Sequence, residues 1–228
     1  MKNKLNWWCD RAWILLECLL AGVMMCLMLF CWETWGTDVK VICAVSILLP
    51  MHVVEEWVFP GGFHYQYNVG VFGSEVPDRY PMCRLSDMYT NLIGTVFFMV
   101  LTFAAMANGN TVRPGILMAT AVFAGMEALA HTLLGCKMYF RFKSRGKRTI
   151  YGPGSLTAYF GFAPLGVIAF YCIRGQQIGA TEWLICFGML AFIIVGGILI
   201  PEGIIKKKDS PYSFKNAGYF ERFLRQHD

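Results

Sequence analysis

Histidine is scarce in this chain. Only His52, His64, His131 and His227 occur among 228 residues, which excludes an iron centre built on many histidines. No two of the nine cysteines form a C-x-x-C pair, and their number is odd. They lie mostly in apolar segments, so they read as buried reduced thiols, not as a disulfide framework or a thiolate zinc site. Charge is also sparse, at 15% of residues against 56% hydrophobic, with a mean hydropathy of +0.47. That balance excludes an ordinary soluble domain and indicates lipid as the solvent.

Long apolar runs are what the chain has in place of charge. Six reach the roughly 20 residues that a helix needs to cross a hydrocarbon core of about 30 Å. They cover about 12–32, 39–59, 86–107, 114–136, 154–174 and 182–204. The first follows Lys2, Lys4 and Arg11 like the charged start of a signal peptide. Its apolar part is too long for one and no small-residue cleavage pattern follows, so it reads as a retained anchor. The expected fold is all-α, a polytopic transmembrane bundle of about six spans.

Six spans with the N-terminus inside put seventeen of the twenty Lys and Arg residues in cytoplasmic segments, leaving only Lys40, Arg113 and Arg174 outside. Positive loops stay on the cytoplasmic side of inserted chains. Both termini are therefore expected in the cytoplasm, with the chain integral to the plasma (cytoplasmic) membrane. The net charge of +5 concentrates on that face and suits anionic lipid headgroups, each nearby basic side chain gaining roughly 1 kcal/mol; nucleic acid is not an expected partner. Trp7, Trp8, Trp32, Trp35 and Trp57 fall near span ends, as interfacial indoles do.

The bundle is expected to occupy residues 1–204 as one domain without internal repeats. A basic, aromatic tail over 205–228 is expected to form a short interfacial helix. The longest connection, 60–85, mixes aromatics with Gly and Pro and shows no period. It fits either a lid dipping into the interface or a plain surface loop.

Polar residues within the spans cluster at one depth. His52, Glu55 and Glu56 sit in the last turns of span two, three and four residues apart and hence on one side of a helix. Glu127 and His131 share a face near the inner end of span four. Thr90 and Asn91 open span three, "YGPGS" (151–155) leads into span five, Glu202 ends span six and Glu17 lies in the inner part of span one. The outer halves, such as "VICAVSILL", are almost purely apolar, which argues against a channel. Singly, each carboxylate also fits a side chain snorkelling to water, and each histidine a packing residue. As pairs on two spans they fit a shared interior site, because ionisable groups within spans are costly and usually face partners. Arg141, Arg145 and Arg148 read first as a topology anchor and second as ligands of an anionic headgroup. Free N–H groups at the start of span five are placed to bind an anion.

This set resembles the HXXEE family of small membrane proteins. The family pattern is a His-x-x-Glu-Glu run, a later separate histidine and a Tyr-x-Pro-Gly run. Here these are His52, Glu55 and Glu56; His131; and Tyr151, Pro153 and Gly154, in order, over about residues 45–175. The resemblance implies that these residues matter. It implies no particular chemistry.

Two imidazoles and up to three carboxylates form a nitrogen and oxygen ligand set that suits a divalent ion, zinc, iron or manganese. The leading expectation is a metal-dependent enzyme acting on a lipid or lipid-linked substrate at the cytoplasmic side of the membrane. His52, Glu55 and His131 would hold the ion, with Glu127 as a fourth ligand or orienting group and Glu56 as general base. Asn91, Tyr151, Pro153, Gly154 and Arg148 would contact substrate. Three alternatives stay open: a metal-free acid/base lipid isomerase, similar in architecture to emopamil-binding sterol isomerases; a proton-coupled or small-solute transporter; and a scaffold whose polar cluster locks helix packing.

Overall fold

The computed structural model describes residues 2–224, without the side chains of Lys2, Asn3, Lys4 and Arg11. Arg225 and His227 of the tail lie outside the described residues. Six helices are long and apolar enough to cross a bilayer, the arrangement of a multi-pass membrane protein: Trp13–Phe30, Thr37–Trp57, Arg84–Ala107, Pro114–Arg145, Ser155–Ile173 and Ala180–Ile205. Their bounds follow the sequence expectation closely, apart from span four. That helix continues past the apolar run, carrying Met138 and Phe142 beyond the site.

Spans two and four form the interior of the bundle. Buried residues make up 61% of the apolar window in span two and 39% in span four, against 22% in each of the others. The costly polar side chains therefore ride on the two helices best shielded from lipid. Helix association inside a bilayer relies on close packing of small residues, since lipid already solvates apolar ones. Gly166 illustrates this: a Cβ there would lie 2.9 Å from the Cβ of Ala124, so its absence lets span five close on span four. Val39, Ile42, Val45, Phe98, Leu117 and Phe162 fill the central core.

The loops on one face pack together. Arg84 reaches Asp10 at 3.3 Å, the Asn6 side chain and the Ser213 carbonyl, and Lys215 pairs with Asp10 at 2.6 Å. The N-terminal segment, the start of span three and the tail thus share one face, as an even number of crossings requires. On the opposite face Glu182 joins span six to span four, accepting from Arg113 and from the Gly115 N–H.

The 60–85 connection is partly helical and packs over the bundle, a lid by position alone. Its helix, Phe63–Gly70, buries His64, Tyr65, Gln66, Asn68 and Val69. The Asn68 amide holds the rest of the segment by donating to Pro77 and Met82 carbonyls and accepting from the Met82 N–H. The tail departs from the expected interfacial helix. It is irregular after Ile205, and among the described residues it resumes helix only as a short turn, Gly218–Phe220, and Glu221–Leu224. Phe220 and Phe223 bury their rings against Tyr65, Met138 and Phe142 instead of lying in lipid. Lys147 is held there, donating to the Tyr151 carbonyl with its ammonium 4.7 Å from the Tyr219 ring. Burial lowers its pKa to about 8.

Candidate metal centre

His52 and His131 meet across the bundle with their Nε2 atoms 3.3 Å apart. Glu56 Oε1 lies 3.3 Å from His52 Nε2 and 3.5 Å from His131 Nε2. Glu127 Oε2 approaches the same two nitrogens at 3.7 and 3.8 Å. His52, Glu56 and His131 are all buried, and their ligand atoms lie within 4.8 Å of one another, a group that could hold a metal ion. The i, i+4 spacing within each helix supplies the geometry, since His52 with Glu56 and Glu127 with His131 each stack on one face.

Glu55 is turned away from this point. Its Oε1 accepts the Leu156 N–H at 3.0 Å and the Tyr151 hydroxyl at 3.3 Å; its Oε2 accepts the Thr157 N–H at 2.9 Å and the Thr157 hydroxyl at 2.6 Å. The free N–H groups at the head of span five therefore do bind an anion, and it is this carboxylate. The sequence reading placed Glu55 on the ion and Glu56 beside it; the geometry places Glu56 at the histidine pair and Glu55 behind it.

Thr157 joins Glu55 to the centre. Its Oγ1 lies 2.6 Å from His52 Nδ1. The single hydroxyl proton is directed to Glu55, so the oxygen accepts from Nδ1–H, which for a neutral imidazole leaves the lone pair on Nε2. A carboxylate–hydroxyl–imidazole chain thus fixes both the tautomer and the ring plane. The Pro153 carbonyl is the acceptor facing His131, at geometry looser than a well-formed hydrogen bond. Gly154, at φ +89°, brings the backbone directly against both rings: a Cβ would lie 2.8 Å from His131 Nε2 and 2.8 Å from His52 Cε1.

The centre opens into a cavity of about 400 Å³ beneath the lid, bounded by Phe63 and Tyr67 from the lid helix and by Leu133 and Leu134 of span four. Asn91 lines it and donates to Asp87 at 2.9 Å. Tyr151, Pro153 and Gly154 lie behind the histidine pair and not on this cavity wall, while Arg148 is exposed and absent from the lining. Glu17 is buried at span one, accepting from Thr95 and not lining the cavity. Thr157, Asp87 and the lid residues Phe63 and Tyr67 escape the sequence reading. For Thr157 the available signal is its position three residues beyond Gly154, one turn inside the span that the YGPG turn begins.

No curated protein and no solved structure matches the chain. The sequence model of the family described as "Protein of unknown function with HXXEE motif" matches residues 43–169, a stretch that includes the His52–Glu56 run, His131 and the Tyr151–Gly154 turn. This chain belongs to the HXXEE family.

Proposed function

We propose that this chain is a metal-dependent membrane enzyme acting on a lipid or lipid-linked substrate from the cytoplasmic side. One observation carries the metal part: His52 Nε2, His131 Nε2, Glu56 Oε1 and Glu127 Oε2 converge on one point, and with both imidazoles neutral and Nδ1-protonated all four would present lone pairs to it. Acceptors packed so closely in a buried site repel unless a cation lies between them. Zinc fits the three shortest spacings, with Glu127 Oε2 set back at 3.7 and 3.8 Å from the two nitrogens. Ligand atoms about 2.0–2.1 Å from a tetrahedral ion lie about 3.3–3.4 Å from one another, close to the 3.3, 3.3 and 3.5 Å edges of the His52, His131 and Glu56 triangle. A six-coordinate ion with bonds of similar length would bring neighbours to about 3 Å.

A bound zinc ion would supply Lewis acidity and a fixed positive charge for a developing oxyanion. The protein's own groups do the rest. Glu55 and Thr157 hold His52, while Glu127, 26% exposed at the cavity wall, is placed to receive or deliver a proton. Lid residues Phe63 and Tyr67 limit water at the site. Support for the lipid part comes from the apolar side of the cavity, Leu49, Phe63, Val71, Leu133, Leu134 and Ile198, which lies at the depth of the span ends. Support for the cytoplasmic side comes from the positive residues gathered on that face. The polar lining stops at Thr90, Asn91 and Glu127, beyond which Phe97, Phe98 and Phe123 follow, and this favours an enzyme over a carrier.

Elemental analysis of purified protein tests the reading. About one zinc per chain is expected, lost in His52→Ala and His131→Ala. Metal-free wild type with chelator-insensitive activity would replace it with the acid/base reading, in which the two imidazoles share a proton.

A further inference from the structure

Beyond the candidate metal centre, two further carboxyl groups face the cavity, and among the described residues no Lys or Arg pairs with either. Asp87 and Glu202 are both buried and both line it. Asp87 accepts from the Trp57 indole at 2.7 Å and from Asn91; Glu202 accepts from the Tyr67 hydroxyl at 2.9 Å. Among the described residues these partners are neutral, and neither carboxylate has an ion pair. Buried carboxylates are ordinarily matched by a cation. Apart from the histidine pair, the only basic side chain in the lining among the described residues is Lys137, which is exposed and donates to the Gly70 carbonyl at 3.2 Å. With Glu56 and Glu127 opposite, four carboxyl groups face the cavity, a lining that offers acceptors to an amine and none of the paired basic groups a phosphate would need.

A second cavity of about 70 Å³ adjoins this one, sharing Leu49, Thr90, Asn91, Glu127 and Ile198 with it. Past Glu127 it is walled by Phe97, Phe98, Phe123, Phe192 and Ile193 and points into the apolar part of the bundle. Span six is a π-helix over Phe192–Leu199, the irregular helical form that recurs at functional sites. Gly197 faces the slot, where a Cβ would meet only atoms 3.8 Å or more away.

We infer that the two cavities together hold a single-chain amphiphile whose head group is a positively charged amine. The ammonium sits between Asp87 and Glu202, against the Phe63 and Tyr67 rings, the alkyl chain runs along the larger cavity and its end enters the phenylalanine slot. This rests on the proposed enzyme reading only for the identity of the reacting molecule; the binding chemistry stands on the cavity walls. It also reassigns the head group, since the exposed Arg148 had suggested an anionic one.

The test is a binding titration of the full chain in neutral detergent with dodecylamine, dodecanol, dodecyl phosphate and butylamine, each with zinc content measured on the same sample and repeated after chelation. Dodecylamine is expected to bind at least tenfold more tightly than the alcohol or the phosphate, and butylamine at least tenfold more weakly than dodecylamine. Asp87→Asn and Glu202→Gln should each reduce the preference for amine over alcohol by fivefold or more with zinc content unchanged. Gly197→Leu, filling the slot, should remove the chain-length dependence. Equal binding of amine and alcohol, tighter binding of the phosphate, or an amine preference untouched in both carboxylate variants would overturn the inference. Amine binding in a protein that holds no zinc would sink the metal reading alone; zinc without amine preference would sink only this one.

Discussion

Glu55 and Glu56 are adjacent in the chain and face different partners. Glu56 Oε1 sits 3.3 Å from His52 Nε2, whereas Glu55 accepts the Leu156 and Thr157 N–H groups at the head of span five. One residue advances a helix by about 100°, enough to send the two carboxylates to different neighbours. Glu56 belongs with the histidine pair and Glu55 with the scaffold that aims His52.

The division predicts different failures. Glu56→Gln removes a charged ligand and should lower zinc affinity by more than a hundredfold while leaving the melting temperature of the metal-free protein nearly unchanged. Glu55→Gln should lower affinity only about 10–100-fold and also destabilise the metal-free bundle, because charge-assisted hydrogen bonds to a helix head are lost. Competition titration with a zinc chelator, paired with thermal melting in detergent, separates the two. Equal loss in both assays for both variants would contradict the division.

Thr157 makes the link testable at a single hydroxyl. Thr157→Val keeps the shape of the side chain and the backbone bond to Glu55 but deprives His52 Nδ1 of its acceptor. Zinc affinity should fall about 10–100-fold, and Thr157→Ser should restore most of it. A valine variant with wild-type affinity would show that the ring is held by packing against Phe162, 5.3 Å away between centroids, and not by the hydroxyl.

Much of this architecture was legible because bilayer thickness dictates helix length, and the six apolar runs obey it. The pairing of His52 with His131 was legible for a related reason, since costly groups at equal depth seek each other. Which of Glu55 and Glu56 turns inward was not, because both lie one turn from His52 and the choice depends on where span five begins. Thr157 was hidden by its ordinariness: a threonine near a helix start has many uses. Asp87 fell at the edge of an apolar run, where a carboxylate reads as a solvated helix end, and only the tertiary fold shows it facing the cavity. The lid, an aperiodic mixture of Gly, Pro and aromatics, takes its shape from Asn68 and its partners, contacts that no local pattern announces.

Gly154 is expected to be the least replaceable residue of the Tyr-x-Pro-Gly turn. Gly154→Ala meets two obstacles, a left-handed φ of +89° and the imidazoles packed where the methyl group would go. Gly73→Ala is the control, because its φ is also positive, at +59°, and nothing lies within 4 Å of the new Cβ. The control should cost about 1–3 kcal/mol of backbone strain and leave zinc binding intact. Gly154→Ala should abolish zinc binding as well, since the rings must part to admit the methyl group. Retained stoichiometric zinc in Gly154→Ala would show that the turn is free to move away.

His64 should make the protein sensitive to acid independently of the metal centre. Its ring stacks on Phe214 with centroids 3.7 Å apart and planes 4° from parallel, and burial lowers its pKa to about 3. The unfolded chain binds a proton on this imidazole near pH 6.5, whereas the folded protein does not until pH 3. The contribution is therefore fully present above pH 6.5 and is lost as pH falls toward 3, by up to about 1.4 kcal/mol per unit. His64→Phe preserves a ring against Phe214 and removes the titration. Unfolding measured from pH 7.5 to 4 should show the wild type losing stability faster than the variant below pH 6.5, with parallel curves above it. Curves parallel throughout would mean that the folded protein admits the proton, and that the stack on Phe214 opens to water.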